Sequence, residues 1–172
     1  MNRQGFEALA DGVMLLTVLL VASTLALSMA GGPSPGLGGD SARYAEDTRV
    51  ALFRSTLDGL AFVQNGAAVL LPNGTTVEGF LRLQVHLVSR NVGILDFNAA
   101  NDRIAAIAAT LLRPGWSYSV VGRVTDGPGV THLPEVVVLP ETYAASSWSY
   151  PPLDGSGPDT VLSLFAWLSP RR

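Results

Sequence analysis

A chain of 172 residues with a formal net charge of −3 has room for one compact domain and a flanking segment. It contains no cysteine, which excludes disulfides, a thiolate nucleophile and cysteine-ligated metal. All 11 basic residues are arginine and they do not outnumber the acids, so the chain lacks the basic field that a phosphate backbone attracts and no nucleic acid partner is expected.

Residues 12–39 carry no charge, and residues 13–30 are densely apolar. A helix of about 18 residues rises roughly 27 Å, the thickness of a hydrocarbon core. Two fates follow from this segment. Ser28-Met29-Ala30 offers small residues to a signal peptidase, but the apolar run exceeds the usual 7 to 15 residues of a cleaved signal, and Glu7 and Asp11 offset Arg3 in its flank. Retention as a membrane anchor, with lipid around residues 13–30, is the leading expectation. Arg3 lies just before the span and places the N-terminus in the cytoplasm by the positive-inside rule.

The stretch "RQGFEALADGVMLLTVLLVASTLAL" resembles the class III signal of type IV pilins, especially small archaeal pilin-like proteins. The resemblance covers about the first 30 residues and implies cleavage between Gly5 and Phe6, with the apolar helix kept on the mature chain as a filament stalk. The family usually places a glutamate five residues into the mature chain, where this sequence has Ala10. The small residues Gly12, Ala22, Ser23 and Ala26 would then mediate helix contacts, giving self-association or pairing with other surface subunits.

"GGPSPGLGG" at 31–39 reads as a flexible linker, with two prolines that break any helix leaving the membrane. A helix over 40–60 follows, with Tyr44, Thr48, Leu52, Thr56 and Leu60 on its buried stripe and Glu46, Asp47, Arg49, Arg54 and Asp58 on its solvated side. "LAFVQ" and "AAVLL" form a hairpin around Asn65-Gly66, a dipeptide suited to a type I′ turn. Thr75 and Glu78 have capping-box spacing for a helix over 76–90, although "LRLQVHLV" at 81–88 also alternates like a strand. "NAANDRIAAIAATLLRPG" is a helix with Asn98 or Asn101 at its start and Pro114-Gly115 as its stop. "SYSVVGRV", "EVVVL", "TYAASSWSY" and "TVLSLFAWLS" are strands, the last apolar on both faces and therefore central. The expected fold is α+β: an N-terminal transmembrane or stalk helix (1–30), a linker (31–39), and an extracytoplasmic domain (40–172) of about three helices packed on an antiparallel sheet.

No catalytic, metal or cofactor site is expected. His86 and His132 lack partners at metal-ligand spacing, and Ser117, Ser146 and Ser147 lack the elbow or lysine that activates a serine. "DGPGV" and "DGSGP" are turns without the context of a phosphate loop. Asn73-Gly74-Thr75 is an N-glycosylation sequon in a turn, an acceptor only if the domain lies outside the cell. Trp116, Tyr118, Tyr143, Trp148, Tyr150 and Trp167 gather in the C-terminal half, as core and cross-strand pairs or as a carbohydrate- or protein-binding face. The expected function is that of a membrane-anchored surface protein with a non-enzymatic interaction or structural role, in its finer form a minor pilin-like subunit. The rivals are a secreted binding domain released at Ala30 and an extracytoplasmic enzyme.

Overall fold

A computed structural model describes residues 39–125, 130–134 and 139–169. Gly5, Phe6, Gly12, Ala22, Ser23, Ala26 and the apolar run at 13–30 therefore lie outside the described residues. Among those that are described, no helix is long and apolar enough to cross a membrane.

The domain is α+β. In chain order it comprises α1 (Gly39–Arg54), β1 (Ala61–Gln64), β2 (Ala67–Leu70), α2 (Val77–Ser89), β3 (Leu95–Asp96), α3 (Asn98–Leu111), β4 (Trp116–Val124), β5 (Val130–Leu133), β6 (Ala144–Tyr150) and β7 (Thr160–Leu168). The strands form two antiparallel sheets rather than the single sheet expected: a 3-stranded one ordered β2-β1-β3 and a 4-stranded one ordered β5-β4-β7-β6.

α1 ends at Arg54, short of the expected 60. Backbone pairing pulls the chain off the helix: Leu57 N donates to Thr75 O at 2.8 Å, Val77 N donates to Ser55 O at 2.8 Å, and Thr56 bridges Thr76. The hairpin forms as the dipeptide demands, with φ of 52° at Asn65 and 81° at Gly66, both left-handed as a type I′ turn requires. Residues 81–88 are helical. The cap of α2 is Thr76, whose Oγ1 accepts from Gly79 N at 3.1 Å, one residue later than expected. Thr75 Oγ1 instead donates to Pro72 O at 2.6 Å and closes the preceding turn. α3 starts at Asn98, whose amide donates to Asp96 Oδ1 at 2.9 Å, and it stops ahead of Pro114.

β7 lies between β4 and β6, as its two apolar faces predict. β5 occupies residues given no strand in the sequence, and it includes His132. The expected strand "EVVVL" falls almost wholly outside the described residues. The core joins both sheets to the helices through Leu52, Phe53, Phe80, Val85, Ile104, Val120, Leu162 and Leu164, all essentially inaccessible. Gly122 sits where α2 meets the large sheet. A Cβ there would come 2.6 Å from Val85 Cγ2 and 2.8 Å from Thr131 Oγ1, so only glycine permits the close approach.

Candidate functional site

Two features of the domain bring chemistry-bearing side chains together. The first is Arg49, assigned by sequence to the solvated side of α1 but in fact only 7% exposed. It lies four residues from Ala45 and four from Phe53, both on the buried stripe, so helical geometry turns it toward β6. Its Nε donates to Ser146 Oγ at 2.8 Å and to Glu46 Oε2 at 3.1 Å, and its Nη2 donates to Glu46 Oε1 at 2.6 Å. Ser146 Oγ in turn donates to Glu46 Oε2. The guanidinium carbon is 5.6 Å from the ring centre of Phe53 and 5.4 Å from that of Trp148, and Trp148 is 56% exposed.

Each charge in this cluster steadies the other. The hydrogen bonds from Arg49 hold the Glu46 carboxyl below its ordinary range, against a smaller opposing effect of burial, and Ser146 adds to the lowering. Burial alone would pull Arg49 down, but the hydrogen bond and charge of Glu46 prevail and raise it. Beside this cluster Arg82 lies 5.0 Å from the Tyr150 ring centre and donates from Nη2 to Pro151 O at 3.0 Å. Burial, helped by the charge of Glu78, pushes the Tyr150 hydroxyl up to about 12.

The second feature is a groove of about 510 Å³ at the end of the large sheet, lined by Leu112, Arg113, Trp116, Tyr118, Pro134 and Trp167 among others. The Pro114-Gly115 stop of α3 delivers the chain directly into β4, and the register Ser117↔Trp167 brings the end of β7 alongside. Tyr44 from α1 packs edge-on against Trp116 with ring centres 4.7 Å apart. The Arg113 guanidinium stacks 4.6 Å from the Tyr44 ring centre, and Arg113 N donates to Tyr44 Oη at 2.7 Å. The groove therefore offers half-buried aromatic faces and one exposed guanidinium. Aromatic faces of this kind can stack against apolar groups, and a guanidinium at the rim can supply a charge-assisted donor.

The sequence-selected residues are dispersed. His86 is on α2, in a cleft of about 340 Å³ with Ser89, Arg90, Pro152 and Thr160, where Arg90 is already paired with Asp154. His132 is on β5. Ser117 pairs with Ser169, Ser147 with Ser163 at 2.7 Å, and Ser146 with Glu46 and Arg49, so each of these hydroxyls is held by another side chain. Among the described residues, no three His, Asp or Glu side chains are grouped to hold a metal. Asn73 is exposed in the turn before α2, where Gly74 N donates to Asp58 Oδ1 at 2.6 Å. Sequence reasoning missed Arg49 as a buried group, and its i±4 spacing to Ala45 and Phe53 was the available signal. It named Trp116, Tyr118 and Trp167 without Arg113, which joins them only through the turn that ends α3. No protein family, curated protein or solved structure matches the chain.

Proposed function

We propose that the chain is a membrane-anchored surface protein: residues 13–30 remain in the bilayer, residues 31–39 act as a tether, and the α+β domain makes protein contacts outside the cell. The observation that carries the interaction role is the groove of Trp116, Tyr118 and Trp167 with Arg113 at its rim. An aromatic-lined surface groove beside one guanidinium suits an extended peptide segment of a partner, because stacking on fixed rings costs little side-chain entropy. The anchor rests on the uncharged run at 12–39. Its finer form, a minor pilin-like subunit whose stalk packs in a filament through Gly12, Ala22, Ser23 and Ala26, rests on the resemblance around Gly5-Phe6.

Two measurements on the full chain test this. In a detergent-free flotation assay the chain rises with membranes, and recovery in the soluble fraction would overturn the anchor. N-terminal sequencing of the mature protein then begins at Met1 or Asn2 for a plain anchor, at Phe6 for a pilin-like stalk, and at Gly31 for the rival secreted domain. Asn73 carries a glycan only in a host that modifies sequons outside the cytoplasm, and the exposed turn that holds it leaves room for one.

A further inference from the structure

The small sheet presents an edge and a face that nothing in the described chain covers. On β1, residues alternate in the partner they bond. Asn65 N donates to Ile94 O at 2.8 Å on the β3 side, and Leu71 N donates to Leu60 O at 2.9 Å on the β2 side. With the register Phe62↔Val69 and Val63↔Ala68, the hydrogen-bonding groups of Val69 therefore face β1 and those of Ala68 and Leu70 point away from it. β2 is the outer strand of its sheet, so two N–H and two C=O groups line an open edge.

The same pleat places Ala61, Val63, Ala68, Leu70 and Ile94 on the outer face, with Asp96 opposite Val63 on β3, the strand farthest from the open edge. Leu70 is 75% exposed and Ile94 80%. Ala67–Leu70 contains no charge, no proline and no bulge, three of the devices that normally protect an edge, and its one protection is its length of 4 residues.

We infer that β2 is a self-association edge that pairs antiparallel with β2 of a second copy, joining two 3-stranded sheets into one of six strands. The register that uses every outward group sets Ala68 opposite Leu70 of the partner copy and Leu70 opposite Ala68, with the two Val69 residues on the two-fold axis. Four backbone hydrogen bonds form, and the apolar outer faces become continuous. The fit is self-complementary because the strand is short, neutral and apolar from end to end.

Area decides when this happens. A stable interface buries roughly 800 Å² per partner through about 20–30 residues a side, and this edge with its face supplies only five apolar residues per copy. Free in dilute solution the chain stays monomeric. Held at a high local concentration, the same contact forms without further area. That last condition rests on the membrane anchoring proposed above, whereas the strand pairing itself does not.

The absence of cysteine makes the test direct. In the full chain, Val69→Cys places two thiols across the axis at about 4.5 Å between Cα atoms, within the range of roughly 4.4–6.8 Å that a disulfide spans. Oxidation of vesicle-bound protein should give at least about tenfold more disulfide dimer than Asp102→Cys, an exposed site on α3, and adding Ala68→Lys with Leu70→Lys should abolish the excess. Equal cross-linking at 69 and 102, or an excess that survives the lysines, overturns the inference. The unaltered chain gives a second readout that needs no variant: the Ala68 and Leu70 amides should exchange hydrogen more slowly as surface density rises, and unchanged exchange overturns the proposal. Cross-linking in concentrated solution by a chain that fails to float with membranes would sink the anchor and leave the strand pairing standing.

Discussion

Arg49 and Gly122 set the chemical constraints of the domain at the residue scale. Removing Glu46 leaves a nearly buried guanidinium with one neutral partner, Ser146. Breaking a fully buried pair costs about 3–5 kcal/mol, but the Glu46 side chain is 47% exposed and water can replace part of it, so Glu46→Ala should cost about 1–2 kcal/mol in a urea melt at pH 7. The pH dependence follows from the sign. The folded Glu46 carboxyl titrates below its ordinary 4.5, so its contribution is present above that value and is lost as pH falls through the lowered folded pKa. The gap between the parent and Glu46→Gln should close on acidification. Tyr150 behaves oppositely: its hydroxyl is raised from 10.0 to about 12, so the fold loses stability as pH rises between these values, and Tyr150→Phe should flatten that alkaline loss. At Gly122, an alanine Cβ meets Val85 and Thr131 and should cost on the order of 1–3 kcal/mol through overpacking. Val85→Ala removes the nearer atom, so the double variant should be less destabilised than the sum of the two single changes.

At the element scale, Thr75 and Thr76 separate what spacing can reveal from what it cannot. Both are threonines ahead of an apolar helix, and Thr75 has the better spacing to Glu78. Thr76 has extended backbone, φ −79° and ψ 159°, and its hydroxyl accepts from Gly79 N, whereas the Thr75 hydroxyl donates to Pro72 O. Thr76→Ala should therefore destabilise the domain by about 1 kcal/mol, the usual value of a lost N-cap, while Thr75→Ala should cost less because it closes only a turn. Thermal melts of the two variants rank them. Elsewhere local chemistry was sufficient. Asn65-Gly66 wrote its own hairpin, alanine with a Pro114 stop defined α3, and the doubly apolar pattern of β7 placed it inside the sheet. What escaped the sequence depends on distant pairing. The end of α1 is set by bonds to residues 75–77, the two residues of β3 exist only because β1 offers an edge, and β5, Val130-Thr131-His132-Leu133, carries neither an apolar run nor an alternating pattern. The groove was half legible for the same reason: its tryptophans were evident, but Arg113 and Pro134 reach it through connections that no periodicity encodes.

At the scale of the whole molecule the question is whether two separate sheets make one cooperative unit. Phe97, between β3 and α3, holds them together. Its ring centre lies 5.4 Å from that of Phe62 on β1 and 5.8 Å from that of Phe80 on α2, and α2 in turn packs through Val85 onto Gly122 of the large sheet. Truncating a buried phenylalanine removes its transfer energy and leaves a cavity, so Phe97→Ala should cost about 3–5 kcal/mol. The distribution of tryptophan makes the consequence measurable. All three tryptophans lie on the large sheet, Trp116 on β4, Trp148 on β6 and Trp167 on β7, and none is on the small sheet where the change is made. If Phe97 couples the two halves, tryptophan fluorescence and far-ultraviolet circular dichroism of the variant shift to the same lower denaturant midpoint, as a two-state unit requires. A fluorescence midpoint that stays at the parent value while the dichroism midpoint falls would mean that the small sheet unfolds by itself, and β2 would then present its open edge from a locally unfolding element rather than from a rigid one.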